Sequence, residues 1–369
     1  MTKKIFTEID TPALLIEKSV MENNISRMQK IANDNNVNLR PHTKTHKSPD
    51  LARKQLRAGA VGVAVAKLGE AEVMAAHGFD DIQIANIIVG DIKIRRLLDL
   101  HRKVKRITCT VDSIVAAKAI AEAFKQNQRI MEVFIEINTG HNRSGLNELG
   151  KIKELAEFIL NTDYLKFAGL FSHPGHAYNT NTIGQVKTIA KQEADQLFTI
   201  HDELGEESIV ADEISVGSTP TARFSAKILG INEIRPGNYI FYDVIQVSLG
   251  SCTFDDCALN VLTTVISTPS QGIAIIDAGA KALSLDRVMD GHKESIRHGY
   301  IKEKSAQITR ISEEHGIIEY KDESFQIGER IRIIPNHACV VMNLFDYAYI
   351  VDGDEVIEQI KIEGRGKSQ

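Results

Sequence analysis

The sequence predicts an α/β fold in which a TIM-type (β/α)8 barrel is followed by an antiparallel β domain. As far as about residue 250, short apolar runs alternate strictly with longer amphipathic stretches, a pattern typical of a parallel sheet. The number of these runs is eight, which favours a closed barrel over a doubly wound sheet. Beyond that point, short alternating runs are separated by turn residues, which indicates antiparallel strands.

Each predicted barrel strand is short, apolar and preceded by a helix-like segment. The strands are 37–43, 61–66, 81–86, 106–111, 131–138, 165–173, 212–217 and 233–241. The helices are 18–36, 50–58, 68–77, 91–102, 113–126, 147–160, 181–204 and 220–228. A doubly wound sheet would carry a glycine-rich turn after its first strand, and the sequence KTHKSPD that follows the first strand here contains no glycine.

The β domain is predicted from the runs that follow the barrel. They are 259–268, 272–279, 317–328 and 330–352. We therefore expect the barrel to span 18–250 and the β domain to span 251–369. The last residues, EGRGKSQ, are expected to be a frayed tail.

Composition and charge exclude several classes of protein. The chain has 369 residues, of which 43% are hydrophobic and 25% charged, as is usual for a globular protein. Lys and Arg number 44 against 49 Asp and Glu, and this net charge of −5 argues against a nucleic-acid or anionic-membrane partner. No apolar run approaches the roughly 18 residues needed to span a bilayer, and the N-terminus lacks a signal-peptide core. Four cysteines are too few for a disulfide scaffold, which favours reduced thiols in the cytoplasm.

A candidate catalytic lysine follows the first predicted strand. Barrel enzymes carry their chemistry at the C-terminal ends of the strands, which is where Lys44 lies. His42, His46 and Lys47 would crowd this amine in a partly dry site, lower its pKa and make it nucleophilic. A solvated loop lysine is the simpler alternative.

Strands seven and eight end in residues that could bind a phosphate. Ser218 and Thr219 precede a predicted helix, whose first N–H groups could bind an anion, although a plain N-cap would also explain them. Gly237 and Asn238 follow the eighth strand, and the loops after strands seven and eight are the usual phosphate site of barrels. An amine facing a phosphate site suggests a phosphorylated aldehyde cofactor, of which pyridoxal phosphate is the obvious one.

His337 and Cys339 form an H-x-C pair in a strand-like run of the second domain. Residues two apart lie on the same face of a strand. Imidazole and thiolate together suit zinc, and two protein ligands would leave coordination positions for water or substrate. A buried cysteine beside a hydrogen-bonded histidine is the alternative, which the spacing alone favours.

Several motifs together resemble the family of D-threonine aldolases and eukaryotic-type D-serine dehydratases, which are relatives of alanine racemase. They are LRPHTKTHK, AVGVAVAKLGEAEVM, SVGSTPT, RPGNYIFYD, DAGAKALSLD, ISEEHG and PNHAC followed by NLFD. The resemblance covers about residues 8–355 and implies an alanine racemase-like, fold type III pyridoxal-phosphate enzyme. It also implies that the N-terminal strand in 1–17 joins the C-terminal β domain, and that the protein is a homodimer.

The resemblance implies a role for each candidate residue. Lys44 would bind pyridoxal 5'-phosphate covalently, and Arg143 would contact its phenolate oxygen. Tyr178 would approach the cofactor or substrate, and Arg235 would face the pyridine nitrogen. The phosphate would be held by Ser218, Thr219, Gly237 and Asn238. A divalent metal, zinc or else manganese or magnesium, would be bound by His337 and Cys339.

The implied activity is that of a lyase acting on D-β-hydroxy-α-amino acids. Cys339 in the H-x-C pair resembles the dehydratases and favours elimination of water from D-serine or D-threo-3-hydroxyaspartate, giving a 2-oxo acid and ammonia. NLFD at 343–346 resembles the aldolases, so retro-aldol cleavage of D-threonine to glycine and an aldehyde stays open. An amino-acid racemase would need a second base opposite Lys44, and a non-catalytic pyridoxal-phosphate carrier would not need the β domain.

Overall fold

The computed structural model describes residues 4–288 and 296–369, and the first of its two sheets is the predicted barrel. Its strands are Asn38–Leu39, Val63–Val65, Asp81–Ile84, Arg106–Val111, Met131–Ile137, Leu165–Ser172, Glu213–Val216 and Glu233–Ile234. All pair in parallel, each with its neighbour in sequence, and the last pairs with the first. A parallel bridge between His42 and Ala64 joins the first strand to the second and closes the sheet. The predicted fold class is confirmed.

The barrel helices also follow the predicted order. They are Lys18–Asp34, Pro49–Ala58, Leu68–Ala76, Asp91–His101, Ile114–Gln126, Leu149–Leu160, Ile183–Glu206 and Thr219–Ser225. In the first of them, Met21, Ile25 and Met28 are buried at helical spacing. The longest begins at a capping box formed by Thr182 and Gln185, in which each side chain accepts a hydrogen bond from the other residue's backbone N–H. Short helices at Ile5–Glu8, Val244–Ser248, Ala280–Leu283 and Ala338–Met342, with single 3-10 turns, make the connections.

The second sheet contains the described strands of the β domain and the N-terminal strand. In spatial order they are Tyr300–Ile301, Ala306–Ile311, Gly316–Glu319, Ile273–Ile276, Leu259–Ser270, Ala13–Glu17, Tyr347–Asp352 and Glu355–Lys361, with Arg330–Ile333 also paired to Leu259–Ser270. The N-terminal strand pairs antiparallel with Leu259–Ser270 but parallel with Tyr347–Asp352. The sheet is therefore antiparallel except at this one pair, because the N-terminal strand inserts between two strands of opposite direction.

The predicted continuous run 330–352 is also divided. Arg330–Ile333 ends before Pro335, which has no N–H to donate to a neighbouring strand, and the helix Ala338–Met342 follows. The two domains share an apolar core, in which Ile240 and Phe241 cluster with Leu259. The boundary at residues 250–251 stays a prediction.

The last residues are docked, which corrects the expectation of a frayed tail. We call residues 362–369 the tail segment. The N–H of Gly364 donates to the carbonyl of Lys47 at 2.8 Å, and the N–H of Gly69 donates to the carbonyl of Gln369 at the same distance. The tail segment therefore joins the β domain to the barrel. None of the described helices combines the length and apolar character needed to cross a bilayer.

Candidate active site

A cavity of about 510 Å³ lies at the carboxyl ends of the barrel strands, where the barrel meets the β domain. It collects every residue that the sequence singled out for chemistry. They are Lys44, Arg143, Tyr178, Ser218, Thr219, Arg235, Gly237, Asn238, His337 and Cys339. Residues from both domains thus line one space, although nearly 300 positions separate the first from the last.

Lys44 lies in the 3-10 turn Thr43–Thr45, just after the first barrel strand. Burial lowers the pKa of its amine, and the charge of Arg143 lowers it further, while Cys339 acts in the opposite direction. A lowered pKa leaves more of the amine neutral and therefore nucleophilic near neutral pH.

The neighbours of Lys44 differ partly from those expected. His46 faces away from the cavity, with its Nε2 atom 3.1 Å from Gln55 Oε1 and its ring edge-on to Phe241. Lys47 also lines the cavity, but its amine forms an ion pair with Glu70 at 2.8 Å, so the charge of the lysine is balanced by that carboxylate. Burial, and not crowding by these two side chains, is the main influence on Lys44.

Two neutral histidines complete the surroundings of Lys44. Burial and then the charge of Lys44 hold the pKa values of His42 and His173 well below the usual range. The Nδ1 atom of His173 lies 2.6 Å from the carbonyl oxygen of Gly217, which can only accept, so Nδ1 carries the proton. The Nδ1 atom of His42 accepts from the N–H of Lys44 at 3.4 Å, so its proton is on Nε2.

The predicted phosphate loops have backbone N–H groups available. Ser218 is the N-cap of Thr219–Ser225, but its hydroxyl lies 2.8 Å from Thr221 Oγ1 and does not cap the helix. Gly237 approaches its neighbours closely, since an added Cβ would lie 2.7 Å from Thr45 Oγ1. A residue larger than glycine at position 237 would therefore displace this loop. The N–H groups at the start of the helix Thr219–Ser225 have no side-chain cap, so they can bind an anion.

The side chain of Asn238 is engaged in hydrogen bonds within the protein. Its side-chain amide donates to Asp243 Oδ2 at 2.5 Å and lies 3.6 Å from Cys339 Sγ, while its Oδ1 atom is buried without a partner. The side chain therefore orders the loop, and the backbone N–H of this residue is what remains for a phosphate.

Arg235 is held at the floor of the cavity by the barrel itself. Its guanidinium stacks on Phe171 at 3.5 Å and donates to the carbonyl of Ser172 and the hydroxyl of Ser215. Burial lowers its pKa to about 10, which still leaves it charged at neutral pH. A fixed guanidinium at this place could donate a hydrogen bond to a ring nitrogen without transferring its proton.

Arg143 and Tyr178 occupy other parts of the wall. The side chain of Arg143 is 52% exposed and forms a long ion pair, 4.0 Å, with Glu136, so its guanidinium can also meet an anion. Burial raises the pKa of the Tyr178 phenol, and the neighbouring Cys339 raises it further. Tyr178 therefore stays protonated and can act as a hydrogen-bond donor.

His337 and Cys339 do not lie on a strand, which corrects the prediction. His337 is the N-cap of the helix Ala338–Met342, and Cys339 is the second residue of that helix. Both still line the cavity because His337 keeps an extended backbone, with φ −136° and ψ 99°. Burial opposes ionisation of the Cys339 thiol, but the charge of His337 lowers its pKa overall.

Asp286 orients the candidate metal ligand His337. Its Oδ2 atom lies 2.6 Å from His337 Nδ1, which leaves Nε2 for a metal, as in the carboxylate–histidine–metal arrangement. In residues 4–288 and 296–369 no group of three or more His, Cys, Asp or Glu is placed to hold a metal ion. The imidazole of His337 and the thiol of Cys339 are donors that fit a metal site with two protein ligands.

Several residues of the site were not predicted. Asp243 accepts hydrogen bonds from Asn238 and from the N–H of Ala338. Glu70, Asn343 and Ser368 line the cavity without having been singled out. Asp243 is the last residue of the motif RPGNYIFYD, and Asp286 is the last residue of DAGAKALSLD. Membership of these motifs was the one sequence signal for the two acids, because no spacing in the sequence relates either of them to His337.

Two family profiles match the chain, one after the other. The N-terminal domain of alanine racemase matches residues 16–244, and a serine dehydratase domain matches residues 258–351. D-threo-3-hydroxyaspartate dehydratase from Delftia sp. is 35% identical over 90% of this chain and 91% of its own. D-serine dehydratase from Dictyostelium discoideum is 31% identical over 96% of each chain, and D-threonine aldolase from an Arthrobacter species is 30% identical over 98% of this chain and 94% of its own.

Solved structures agree with the sequence relatives. D-threonine aldolase from Filomicrobium marinum superposes with a TM-score of 0.91 at 30% identity, covering 98% of this chain and 97% of its own. Two mutants of D-threo-3-hydroxyaspartate dehydratase superpose with TM-scores of 0.91 and 0.92, each at 31% identity and over at least 96% of each chain. One is a cysteine-to-alanine mutant in the metal-free form, and the other changes a histidine two positions earlier.

Proposed function

The chain belongs to the alanine racemase-like family of D-serine dehydratases and D-threonine aldolases, and from that premise we propose that it eliminates water from D-β-hydroxy-α-amino acids. It is a lyase of the pyridoxal-phosphate type. The products would be a 2-oxo acid and ammonia. The observation that carries the proposal is that His337 and Cys339 line the same cavity as Lys44.

The cavity fits both groups that the family implies. When bound, pyridoxal phosphate would supply an electron sink for charge at Cα, and a divalent metal would act as a Lewis acid on the β-hydroxyl. Lys44 would carry the cofactor, because its amine is buried and its pKa is lowered by that burial. The phosphate would meet the N–H groups of residues 218–219 and 237–238, and Arg235 the pyridine nitrogen.

The remaining residues would bind substrate and move protons. Nζ of Lys44 would take the α-proton of the bound substrate. Arg143 would contact the phenolate oxygen of the cofactor with its guanidinium, and Tyr178 would donate a hydrogen bond to cofactor or substrate. Glu70 would hold Lys47 in its ion pair, so that this lysine does not compete with Lys44.

The metal is proposed to be zinc. A thiolate ligand selects soft or borderline ions, whereas manganese and magnesium prefer oxygen. The relative whose histidine and cysteine mutants have been solved carries them two positions apart, the spacing of His337 and Cys339 here. In that relative the cysteine mutant is described as metal-free, which supports a metal role for the pair.

Retro-aldol cleavage is the second candidate. Asn343, the first residue of the aldolase-like NLFD motif, lines the cavity one helical turn after Cys339. Cleavage needs a base that removes the proton of the β-hydroxyl, whereas elimination needs Lys44 to remove the α-proton. Racemisation and a carrier role are less favoured, because neither would use the pair in the β domain.

A homodimer and a cytoplasmic location complete the proposal. Arg143 lies at the cavity mouth with half of its side chain exposed, a place that the β domain of a second copy could cover. Light scattering that reports an active monomer would contradict the dimer. The four cysteines are free thiols, as expected in a reducing compartment.

A product assay tests the proposed reaction. Purified enzyme loaded with pyridoxal phosphate and zinc is given D-serine, D-threonine and D-threo-3-hydroxyaspartate in turn, with the L-isomers as controls. Pyruvate, 2-oxobutyrate or oxaloacetate with ammonia would support elimination. Glycine with an aldehyde would contradict elimination and support retro-aldol cleavage. If the enzyme turns over none of the three substrates, both candidate reactions are overturned.

A further inference from the structure

A single buried carboxylate lies between the predicted phosphate loop and the predicted metal pair. Asp243 Oδ2 accepts one hydrogen bond from Asn238 Nδ2 at 2.5 Å and another from the N–H of Ala338 at 2.9 Å. Asp243 Oδ1 accepts from the N–H of Gln246 at 3.0 Å, which fixes the carboxylate in place. The side chain is fully buried, so no water replaces these partners.

The two groups that donate to Asp243 Oδ2 belong to different sites. Ala338 stands between His337 and Cys339, so the position of its N–H sets the backbone that carries both candidate ligands. Asn238 stands in the loop that would hold the phosphate, and its amide also lies 3.6 Å from Cys339 Sγ. A shift of either group therefore changes the hydrogen bonding of the other.

Backbone contacts next to Asp243 reinforce this connection. The N–H of Val244 donates to the carbonyl of Pro335, and the N–H of Ile245 donates to the carbonyl of Asn336, each at 3.2 Å. The side-chain amide of Asn336 in turn donates to the carbonyl of Asp286 at 3.0 Å. The end of the barrel and the segment before His337 are thus attached at successive residues.

We propose that Asp243 couples the two sites, so that pyridoxal phosphate bound at residues 237–238 tightens metal binding at His337 and Cys339. By thermodynamic reciprocity the metal also tightens the binding of pyridoxal phosphate. The identity of the two ligands rests on the proposed function, while the coupling rests on the contacts of Asp243. Asp243 is a positioning residue, because it acts through Asn238 and Ala338.

The cause is that both sites depend on the same hydrogen-bond acceptor, Asp243 Oδ2. Whichever ligand binds first holds Asn238 or Ala338 in its binding position, and through Asp243 it holds the other. The second ligand then meets a site that is already in its binding position, and it binds more tightly. Coupling between sites is typically worth about fivefold to about 150-fold in affinity.

The experiment measures the affinity for Zn²⁺ by competition with a chromophoric chelator, on protein with and without pyridoxal phosphate. The test variants are Asp243→Asn, which replaces the shared acceptor, and Asn238→Ser, which is too short to reach it. The control is Asp277→Asn. Asp277 also accepts from a backbone N–H, that of Thr264 at 2.9 Å, but it does not line the cavity.

We expect pyridoxal phosphate to tighten Zn²⁺ binding by about fivefold or more in the wild type and in Asp277→Asn. Both test variants should lose the difference. Equal Zn²⁺ affinity with and without the cofactor in the wild type would overturn the coupling, as would a full effect in the test variants. If Asp243→Asn fails to fold, Asn238→Ser decides. A protein that binds neither ligand would overturn the proposed function as well, whereas independent binding of both would overturn the coupling alone.

Discussion

The Nδ1 atom of His337 lies 2.6 Å from a carboxylate oxygen of Asp286, although 51 positions separate the two residues. The carboxylate fixes the tautomer and the orientation of the ring, so Asp286→Asn should weaken Zn²⁺ binding by about 10- to 100-fold. The absorption band of bound pyridoxal phosphate should stay. Chelator competition measures the change, with Asp202→Asn as control, because that side chain is 82% exposed. Unchanged Zn²⁺ affinity in Asp286→Asn would show that the contact has no role in metal binding.

The second prediction concerns the thiol of the pair. Cys339→Asp replaces a soft ligand by a hard one and should shift the preferred ion from zinc toward manganese or magnesium. Cys339→Ala should lose metal binding together with turnover of β-hydroxy substrates. Activity of each variant is measured after reloading with each ion. Zinc-dependent turnover by Cys339→Ala at the wild-type rate would contradict a role as ligand.

The third prediction is a pH dependence of stability that arises from Glu193. Burial raises the pKa of this carboxyl from its ordinary value of 4.5 to about 7, although Ser172 donates to it. Because the pKa is raised by folding, its contribution to stability is complete below about 4.5 and is lost as pH rises through about 7.

Glu193→Gln removes this titration, so the free energy of unfolding of the wild type relative to the variant should fall between about pH 4.5 and pH 7. The fall is on the order of 3 kcal/mol at most. Urea unfolding of both proteins at a series of pH values measures it. A difference that stays constant across the series would contradict the raised pKa of Glu193.

The fourth prediction concerns the tail segment. A Cβ at Gly364 would lie 2.9 Å from the carbonyl oxygen of Lys47, so Gly364→Val should displace the tail segment. The amide of Gly69 then loses its acceptor, the carbonyl of Gln369, and should exchange with deuterium faster. Arg365→Ala is the control, because its ion pair with Asp346 is exposed and worth about 1 kcal/mol or less. Equal protection of Gly69 in all three proteins would mean that this end of the chain is not held as described.

The barrel could be predicted from sequence because its signal is local and repeated. Runs such as 106–111 are apolar and separated by amphipathic helices, and the order of the elements then places Lys44 and Ser218 at the same end of the barrel. The pair at 337 and 339 was found for the same reason, as a short motif. The helix that carries Cys339 was not predicted, because the N–H of Ala338 donates to Asp243 and not to a neighbouring strand.

The supporting residues depend on contacts between distant segments. Asp243 reaches the metal pair only when the β domain packs on the barrel, and Asp286 only when distant segments of the β domain fold together, so no local pattern marks them. The tail segment has glycines and charges that predict fraying. It is ordered instead by two hydrogen bonds to the barrel, one to the backbone carbonyl of Lys47 and one from the N–H of Gly69. Tertiary context decided each of these positions.

The central claim is that one cavity serves a cofactor on Lys44 and a catalytic metal on His337 and Cys339. Its most direct test is the turnover of D-serine and D-threonine by enzyme that keeps pyridoxal phosphate but has been freed of metal by chelation. We predict that turnover is abolished and returns with zinc, while the cofactor band and slow exchange of the α-proton of D-alanine persist, since that exchange needs only Lys44 and the cofactor. Turnover at the full rate by enzyme verified to be metal-free would contradict the claim.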